Sequence, residues 1–515
     1  MSVSHVNPII PGFAPDPSVA RIGDTFFLVN SSFHLFPGLP IFASQDLVSW
    51  RHFGNAINRQ SQLSLAASGT SIWPPGKNGN SMLSTGGLYA PTIRHHKGIT
   101  YIVCTNIVRR EGDAGDDTQN FILSTRDIWS NEWSDPVNFD FTGIDPSIFF
   151  DDDGRSYMQG SASPGPMTKV NLFEIDLEIG KKLSEEKTIW GGTGGIYPEG
   201  PHIYKKDGWY YVIISEGGTH EDHMITVARS KDIWGPYESF PENPILTARG
   251  TDEYIQFTGH SDIFEDQQGK WWAVCLGVRK KDDYFNMGRE TFLTTGEWPE
   301  GGWPALNLVK MSPTLADGKE LVRGEDPPLT ADPLVDFVYI RDAELSSYKF
   351  SNNEKTVTIT ASRFDLPQWS QPVTFIGKRQ RAMEGASSVT MQYVAAPQNA
   401  KLKAGLAVYK DEHRYARVFY DFAASEMVID VLNNAKKISR ISSHPFKFTS
   451  EVVLTIEYTE TSYRFSFGNN KDAATSEIVD ALDLTGPDFV GPVIGIFAIA
   501  ETSDVSVQFD NLTIR

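Results

Sequence analysis

The stretch DPSVARIGDTFFLVNSS, Asp16 to Ser32, runs from a small, proline-containing start through a short apolar segment and a glycine turn at Gly23 into an aromatic strand. The same order returns four more times: APTIRHHKGITYIVCTN from Ala90, DPSIFFDDDGRSYMQGSA from Asp145, GPHIYKKDGWYYVIISE from Gly200 and HSDIFEDQQGKWWAVCLG from His260. Aligning the aliphatic residue of each copy gives Val19, Ile93, Ile148, Ile203 and Ile263, in steps of 74, 55, 55 and 60 residues. Each copy has the pattern of a hairpin. Repeats of this length with several strands apiece mark a β-propeller, one blade per repeat. A second echo agrees. SQDLVSW (Ser44 to Trp50), STRDIWSNEW (Ser124 to Trp133) and RSKDIWGPY (Arg229 to Tyr237) follow the hairpins at similar offsets, as one outer-strand turn in three blades would. The sequence therefore predicts an all-β chain with a five-bladed β-propeller over residues 1–310. A β-sandwich with incidental similarity is the competing expectation.

The innermost strand of a propeller blade starts near the central axis. The repeat-initial residues Asp16, Ala90, Asp145, Gly200 and His260 should therefore converge at one mouth of the channel, with Glu199 just ahead of Gly200. That brings three carboxyls and a histidine from distant parts of the chain into one pocket. Asp16 lies between Pro15 and Pro17, and the restriction on a residue before proline predicts an extended, stiff backbone there.

After the propeller, residues 311–335 read as a linker rich in proline and charge, including RGEDPPLTADP. From residue 336 to 515 the texture changes to short period-two segments such as KTVTITA, AGLAVYKD, YARVFYDF, VVLTIEY and DVSVQFDNLTI. These predict a β-sandwich closed by its last strand. Two roles stay open for it: a carbohydrate-binding module, or a packing domain that lends one wall or one aromatic to the propeller's pocket.

The chain has 515 residues, 40% hydrophobic and 22% charged, as expected of a globular protein with more than one large core. Its net charge of −19, without a Lys/Arg stripe, argues against a nucleic-acid partner. Cys104 and Cys275 each sit in an apolar run and read as buried thiols. MSVSHVNPII lacks the basic and apolar regions of a secretory leader, and no run is long enough for a membrane span. The expected location is cytoplasmic, or secreted if a leader has been removed.

Three converging carboxyls suit glycosidic hydrolysis. That reaction needs one carboxyl to protonate the leaving oxygen and another to attack the anomeric carbon or activate water. Neighbouring negative charge raises the pKa of one group and keeps it protonated. The motifs HVNPIIPGFAPDPSV, NSSFHLFPGLPIFASQDLVSW, GIDPSIFF, YPEGPHIYKKDGWYYV, FTGHSDIFED and MGRETF, in this order over almost the whole chain, resemble glycoside hydrolase family 43. The likeness is to its β-xylosidase and α-L-arabinofuranosidase members with a C-terminal β-sandwich. The resemblance implies a five-bladed propeller and an inverting mechanism. It implies Asp16 as general base, Glu199 as general acid, and Asp145 as the group that holds the acid and raises its pKa.

By the same resemblance Arg289 would bind sugar hydroxyls, against a surface ion pair. His260 would anchor water or a metal near the axis, against a satisfied core histidine. Phe33 and Phe36 could form an apolar platform for the sugar ring, against plain core packing. Tyr89 stands where many relatives carry Trp, which alters one pocket wall. Other patterns carry no chemistry: DDDG (Asp151 to Gly154) lacks the further ligands of a calcium loop, GGTGG (Gly191 to Gly195) lacks the Lys of a phosphate loop, EGDAGDD (Glu111 to Asp117) is an acidic loop, and His95 and His96 lack an acidic partner at helical spacing.

The expected function is an exo-acting hydrolase that releases xylose, and L-arabinose as a second product, from short xylo- or arabinoxylo-oligosaccharides. Exo action follows from the resemblance and from the absent leader, because a cytoplasmic enzyme meets short imported sugars. A main activity as α-L-arabinofuranosidase and a non-catalytic sugar-binding propeller are the alternatives. No cofactor is required, and the resemblance admits a structural calcium near His260.

Overall fold

The computed structural model describes residues 5–514 apart from 77–78, 111–114, 316–317, 324–333, 352–354, 396–397, 470–474 and 503. Most of RGEDPPLTADP and the first part of EGDAGDD thus lie outside the described residues.

Five antiparallel sheets follow one another along the chain. Their innermost strands are Ser18–Ile22, Gly87–His96, Gly143–Phe150, Glu199–Lys206 and Ile255–Glu265. Each turns through a tight loop into an aromatic-rich second strand; Gly23, Gly98, Gly154, Gly208 and Gly269 take the positive φ that these turns need. The inner strands pack in a closed ring, the first against both the second and the fifth. The three echo motifs lie between the third and fourth strands of the first, second and fourth blades. In each of them an aspartate (Asp46, Asp127 or Asp232) accepts from backbone N–H groups two residues on.

Side chains alternate across each strand, so each blade buries one face on each neighbour. Val19, Phe26, Phe42 and Trp50 pack on Trp272 and Val274 between blades one and five. Ile41, Ile57 and Leu88 lie between blades one and two. The ring is latched by the N-terminal segment: Ile10 and Thr291 exchange backbone hydrogen bonds, and the Asn7 amide bridges Leu293 and Lys310. Cys104 and Cys275 are buried free thiols.

The last propeller strand is Ala305–Leu306, and the next strand, Phe337–Ile340, opens a second domain of two sheets, eight- and seven-stranded. All five alternating segments quoted from the sequence form strands of it. The final strand, Ser506–Thr513, sits inside its sheet between Thr356–Thr360 and Gly385–Gln392.

The two domains share a sheet and a core. Leu35–Phe36, from the first blade, pairs with Tyr339 and Ile340 at the edge of the eight-stranded sheet. Phe13, Phe33 and Leu35 pack with Val338, Phe375, Tyr409, Val490 and Phe497 of the sandwich. Gly12, with φ of +74°, passes so close to the sandwich that a Cβ there would fall 2.0 Å from the Gln380 carbonyl oxygen.

This sharing corrects one expectation. Phe36 is no sugar platform: paired with Tyr339, it turns into the core between Leu39, Leu88 and Ile93 and is buried. Among the described residues no helix is long and apolar enough to cross a membrane.

Because the propeller and the sandwich share strands and core, they should unfold together. Scanning calorimetry is expected to show one cooperative transition; two resolved transitions would contradict the shared interface.

Candidate active site

The five blade starts share one backbone feature. Asp16, Ala90, Asp145, Gly200 and His260 have φ of +53°, +35°, +54°, +59° and +45°. The ladder is irregular at the same place in blades two to five, between Tyr89 and Thr92, Ile144 and Ser147, Glu199 and His202, and Gly259 and Ser261. A bulge with a left-handed residue breaks the strict alternation of a strand and re-aims a side chain. Asp16, just ahead of the first blade's inner strand, is left-handed too, contrary to the extended backbone expected before Pro17. Its side-chain ties to Ser31 and Arg289 hold it there against the local preference of the proline pair. Four of the five positions are not glycine, and each such backbone stores of order 1–3 kcal/mol of strain. At Gly200 a Cβ would lie 2.9 Å from the His260 ring, so glycine is required there twice over.

Hydrogen bonds join these positions from blade to blade. Ser31 Oγ donates to Asp16 Oδ2 at 2.6 Å and accepts from the Ala90 N–H at 2.7 Å. The Gly200 N–H donates to Asp145 Oδ2 at 3.0 Å, and the His260 N–H to Ser215 Oγ at 2.7 Å.

The result is a cavity of about 120 Å3 at the mouth of the channel, into which Asp16, Asp145, Glu199 and His260 face together with Arg289, Phe33 and Tyr89. Arg289 donates from Nη1 to Asp16 Oδ1 (3.3 Å) and Thr219 Oγ1 (2.9 Å), and from Nη2 to the Phe489 carbonyl (3.1 Å). His260 Nδ1 lies 3.9 Å from Asp16 Oδ1. Phe33, Tyr89 and Phe489 form an aromatic wall, with ring centroids 4.9, 5.7 and 5.8 Å apart. Tyr89 is oriented by its hydroxyl, which donates to the Thr85 carbonyl at 2.6 Å.

Sequence reasoning missed Met82, Tyr197, Thr219, His223 and Phe489, which also line the cavity. Tyr197 stands two residues before Glu199 in a motif already singled out and could have been found there. Phe489 comes from the sandwich, so the second domain supplies one aromatic to the propeller's cavity.

Burial and charge divide the three carboxyls. Burial, followed by the Asp145 and Asp16 charges, raises the Glu199 pKa well above its ordinary value, with Arg289 opposing. Burial and the Asp16 charge push Asp145 up to about 6, while His260, the Gly200 N–H and Arg289 pull the other way. Near neutral pH this favours a protonated Glu199 beside an ionised Asp145. Such a pair can give a proton and then hold the charge left behind.

Deeper along the axis the channel is plugged. The Asp262 carboxylate accepts from Arg94 (2.7 and 3.1 Å), Ser18 Oγ, Tyr204 OH and the Val19 N–H. Arg94 Nη2 also lies 3.0 Å from His202 Nδ1, and the His202 ring faces His260 at 6.4 Å. These residues do not fit a calcium near His260. Calcium takes six to eight oxygen ligands, whereas the Asp262 carboxylate below His260 is saturated by donors and the Arg94 guanidinium already supplies positive charge there. Among the described residues no group of three His, Cys, Asp or Glu is spaced to hold a metal.

The rejected patterns have structural occupations. Asp151 of DDDG accepts from Lys205 Nζ and Tyr210 OH at a hairpin turn. The GGTGG loop wraps the buried Glu216 carboxylate through the Thr193 and Gly195 N–H groups.

Comparison with known proteins agrees with this geometry. Residues 5–304 match the glycosyl hydrolases family 43, and residues 331–515 match the β-xylosidase C-terminal concanavalin A-like domain. A non-reducing end α-L-arabinofuranosidase of Bacteroides ovatus is 32% identical over 96% of this chain and 90% of its own. A xylosidase/arabinosidase of Butyrivibrio fibrisolvens is 32% identical over 99% of both chains. The crystal structure of a xylan β-1,4-xylosidase from Bacillus halodurans superimposes with a TM-score of 0.85 at 27% identity, covering 98% of this chain and 99% of that one.

Two outcomes are expected. A carboxyl with a raised folded-state pKa destabilises the fold progressively as pH climbs above its ordinary value, 4.5 for glutamate. Glu199→Gln should therefore raise Tm by about 1–3 °C at pH 7–8, and the gain should vanish towards pH 4; a loss of Tm at neutral pH would contradict a strained, buried acid. Separately, EDTA treatment followed by added calcium should leave Tm and activity unchanged, whereas a calcium-dependent rise would place a cation at the axis.

Proposed function

Because the chain belongs to glycosyl hydrolases family 43, we propose that it removes single pentose units, with inversion, from the non-reducing ends of short xylo- or arabinoxylo-oligosaccharides. β-Xylosidase is the leading activity and α-L-arabinofuranosidase the second. The observation that carries this reading is the small cavity itself: three carboxyls and an arginine line about 120 Å3, below the usual size of a drug-sized ligand site. Such a space suits one monosaccharide ring and not a stretch of chain.

The steps follow from the residues. Glu199, held protonated by burial and by Asp145, donates to the glycosidic oxygen as that bond breaks. Asp16, oriented by Ser31 and Arg289, takes a proton from water as the water oxygen attacks the anomeric carbon from the opposite face. The transition state has oxocarbenium character, and the product carries the inverted configuration. For water to fit, the Asp16 and Glu199 carboxyls should stand roughly 6.5–9.5 Å apart in the complex. Asp145 touches the Gly200 N–H and so fixes the backbone beside the acid while keeping its pKa high. Phe33, Tyr89 and Phe489 cover the apolar faces of the ring, and Arg289 offers N–H donors to its hydroxyls. No cofactor enters this chemistry. The names of similar proteins favour both pentoses, which present similar hydroxyls in different ring forms. A purely sugar-binding propeller would have no need of a carboxyl kept protonated by burial.

Assays with 4-nitrophenyl β-D-xyloside and 4-nitrophenyl α-L-arabinofuranoside should both show release, faster for the xyloside. Proton NMR should show α-xylose as the first product of a β-xyloside; initial β-xylose would overturn inversion. Glu199→Gln should lose about 10²–10⁴-fold in kcat/KM on xylobiose while losing far less on a dinitrophenyl glycoside. Equal losses on the two would remove Glu199 from the acid role.

A further inference from the structure

Between the first and second blades the chain makes a small hairpin, Thr70–Ile72 with Leu83–Thr85, that belongs to neither blade. Its base is held from both domains. The Leu83 N–H donates to the Pro487 carbonyl at 2.9 Å, and the Thr70 N–H to Glu412 at 2.5 Å, both acceptors lying in the sandwich. On the propeller side Arg109 donates to the Ser84 carbonyl, and the Gly86 N–H to the Gly69 carbonyl at 2.9 Å.

The register of this hairpin decides which side chains face the cavity. Thr70 pairs with Thr85, Ser71 with Ser84 and Ile72 with Leu83, and the Trp73 N–H donating to the Met82 carbonyl extends the ladder by one pair. Directly opposed residues of an antiparallel pair point to the same face, and successive pairs alternate. Met82 lines the cavity, and Ser84, on the same face, lies 3.5 Å from the Tyr89 hydroxyl. Trp73 therefore stands on the cavity-facing side beside Met82, one step further out. It is 48% exposed, unlike the buried Trp50, Trp133, Trp190, Trp272 and Trp298. Ile196, next in sequence to the cavity residue Tyr197, is 47% exposed. The exposed Trp73 thus stands beside Met82 at the edge of a cavity lined by three carboxyls.

We propose that Trp73 and Met82 form the leaving-group subsite, with Trp73 as the stacking platform for the pyranose ring to which the scissile pentose is attached and Met82 as the step between the two rings. The inference rests on the exo-glycosidase reading and extends it, because the 120 Å3 cavity houses one ring and the next must lie outside it. Glu199 protonates the glycosidic oxygen, so the aglycone emerges at the mouth. An indole face presents a flat apolar surface to the axial C–H groups of a pyranose while leaving its hydroxyls in water. The platform recognises ring shape on the leaving side and leaves the cleaved sugar to the cavity. Its ligand class is a β-linked aldopyranose unit of a short glycan.

The test compares substrates with and without that ring. Trp73→Ala should lower kcat/KM on xylobiose by about tenfold, mostly through KM. The Ki of free xylose, which occupies the cavity alone, and kcat/KM on methyl β-D-xyloside should stay within about twofold, and Trp73→Phe should restore most of the loss. An unchanged Tm, read alongside, checks that the exposed position leaves the fold intact. Equal losses on xylobiose and the methyl glycoside, or no loss on xylobiose, overturn the subsite. Inactivity of the unmodified chain on every xyloside and arabinoside would overturn the parent function, and the subsite with it, before Trp73 is changed.

Discussion

The left-handed backbone at the start of each inner strand is the constraint on which the active site depends. A regular strand sends alternate side chains into the two interblade cores. At Asp16, Asp145 and His260 that alternation is broken, and the side chains turn into the channel. The strain of these conformations persists because the surroundings over-determine it. Ser31 ties Asp16 to the Ala90 N–H, Asp145 accepts from Gly200, and Ser215 accepts from His260. Each tie crosses between neighbouring blades, so the ring of blades and the ring of polar residues hold one another in register.

Arg289 couples this ring to the second domain. Its guanidinium reaches Asp16, Thr219 and the Phe489 carbonyl, and lies over the Phe33 and Phe489 rings at 5.5 and 5.0 Å. The loop carrying Phe489 is anchored by Asp488, whose buried carboxylate pairs with Lys410 and Arg414. The Asp488 N–H donates to His220 Nε2 at 3.2 Å. Burial lowers the His220 pKa to about 4, so its ring stays neutral and can accept. A displaced sandwich loop would thus disturb the arginine that orients the base. This explains why the two domains share a β-strand pairing instead of a flexible tether.

The electrostatic design separates two jobs among like groups. Burial and the Asp145 charge raise the proton affinity of Glu199, while burial and the Asp16 charge raise that of Asp145. One proton between them is the natural state near neutrality. Deeper in the channel the opposite solution appears, where Asp262 is surrounded by five donors and held far below the usual carboxylate range by Arg94 and its neighbours. The polar axis is therefore graded: charge is compensated at depth and left reactive at the mouth.

Much of this was legible in the chain itself. Five copies of one hairpin pattern determined the blade count, and their register determined that Asp16, Asp145, Glu199 and His260 meet, because a repeated unit places equivalent residues at equivalent points of a closed ring. Period-two alternation after residue 336 determined the sandwich. Local rules failed where long-range contacts dominate. The proline pair around Asp16 predicted an extended backbone, whereas the residue is left-handed, with its carboxylate held by Ser31 and Arg289. Phe33 and Phe36 looked equivalent, yet pairing with Tyr339 sent Phe36 into the core. Phe489 lies 200 residues from its partner Arg289, and Met82 reaches the cavity from a hairpin whose base is held by the sandwich. The repeat determined which residues share the axis; only the tertiary structure decided which way each one points, because direction is set by bulges, strand pairs and domain contacts that no local pattern encodes.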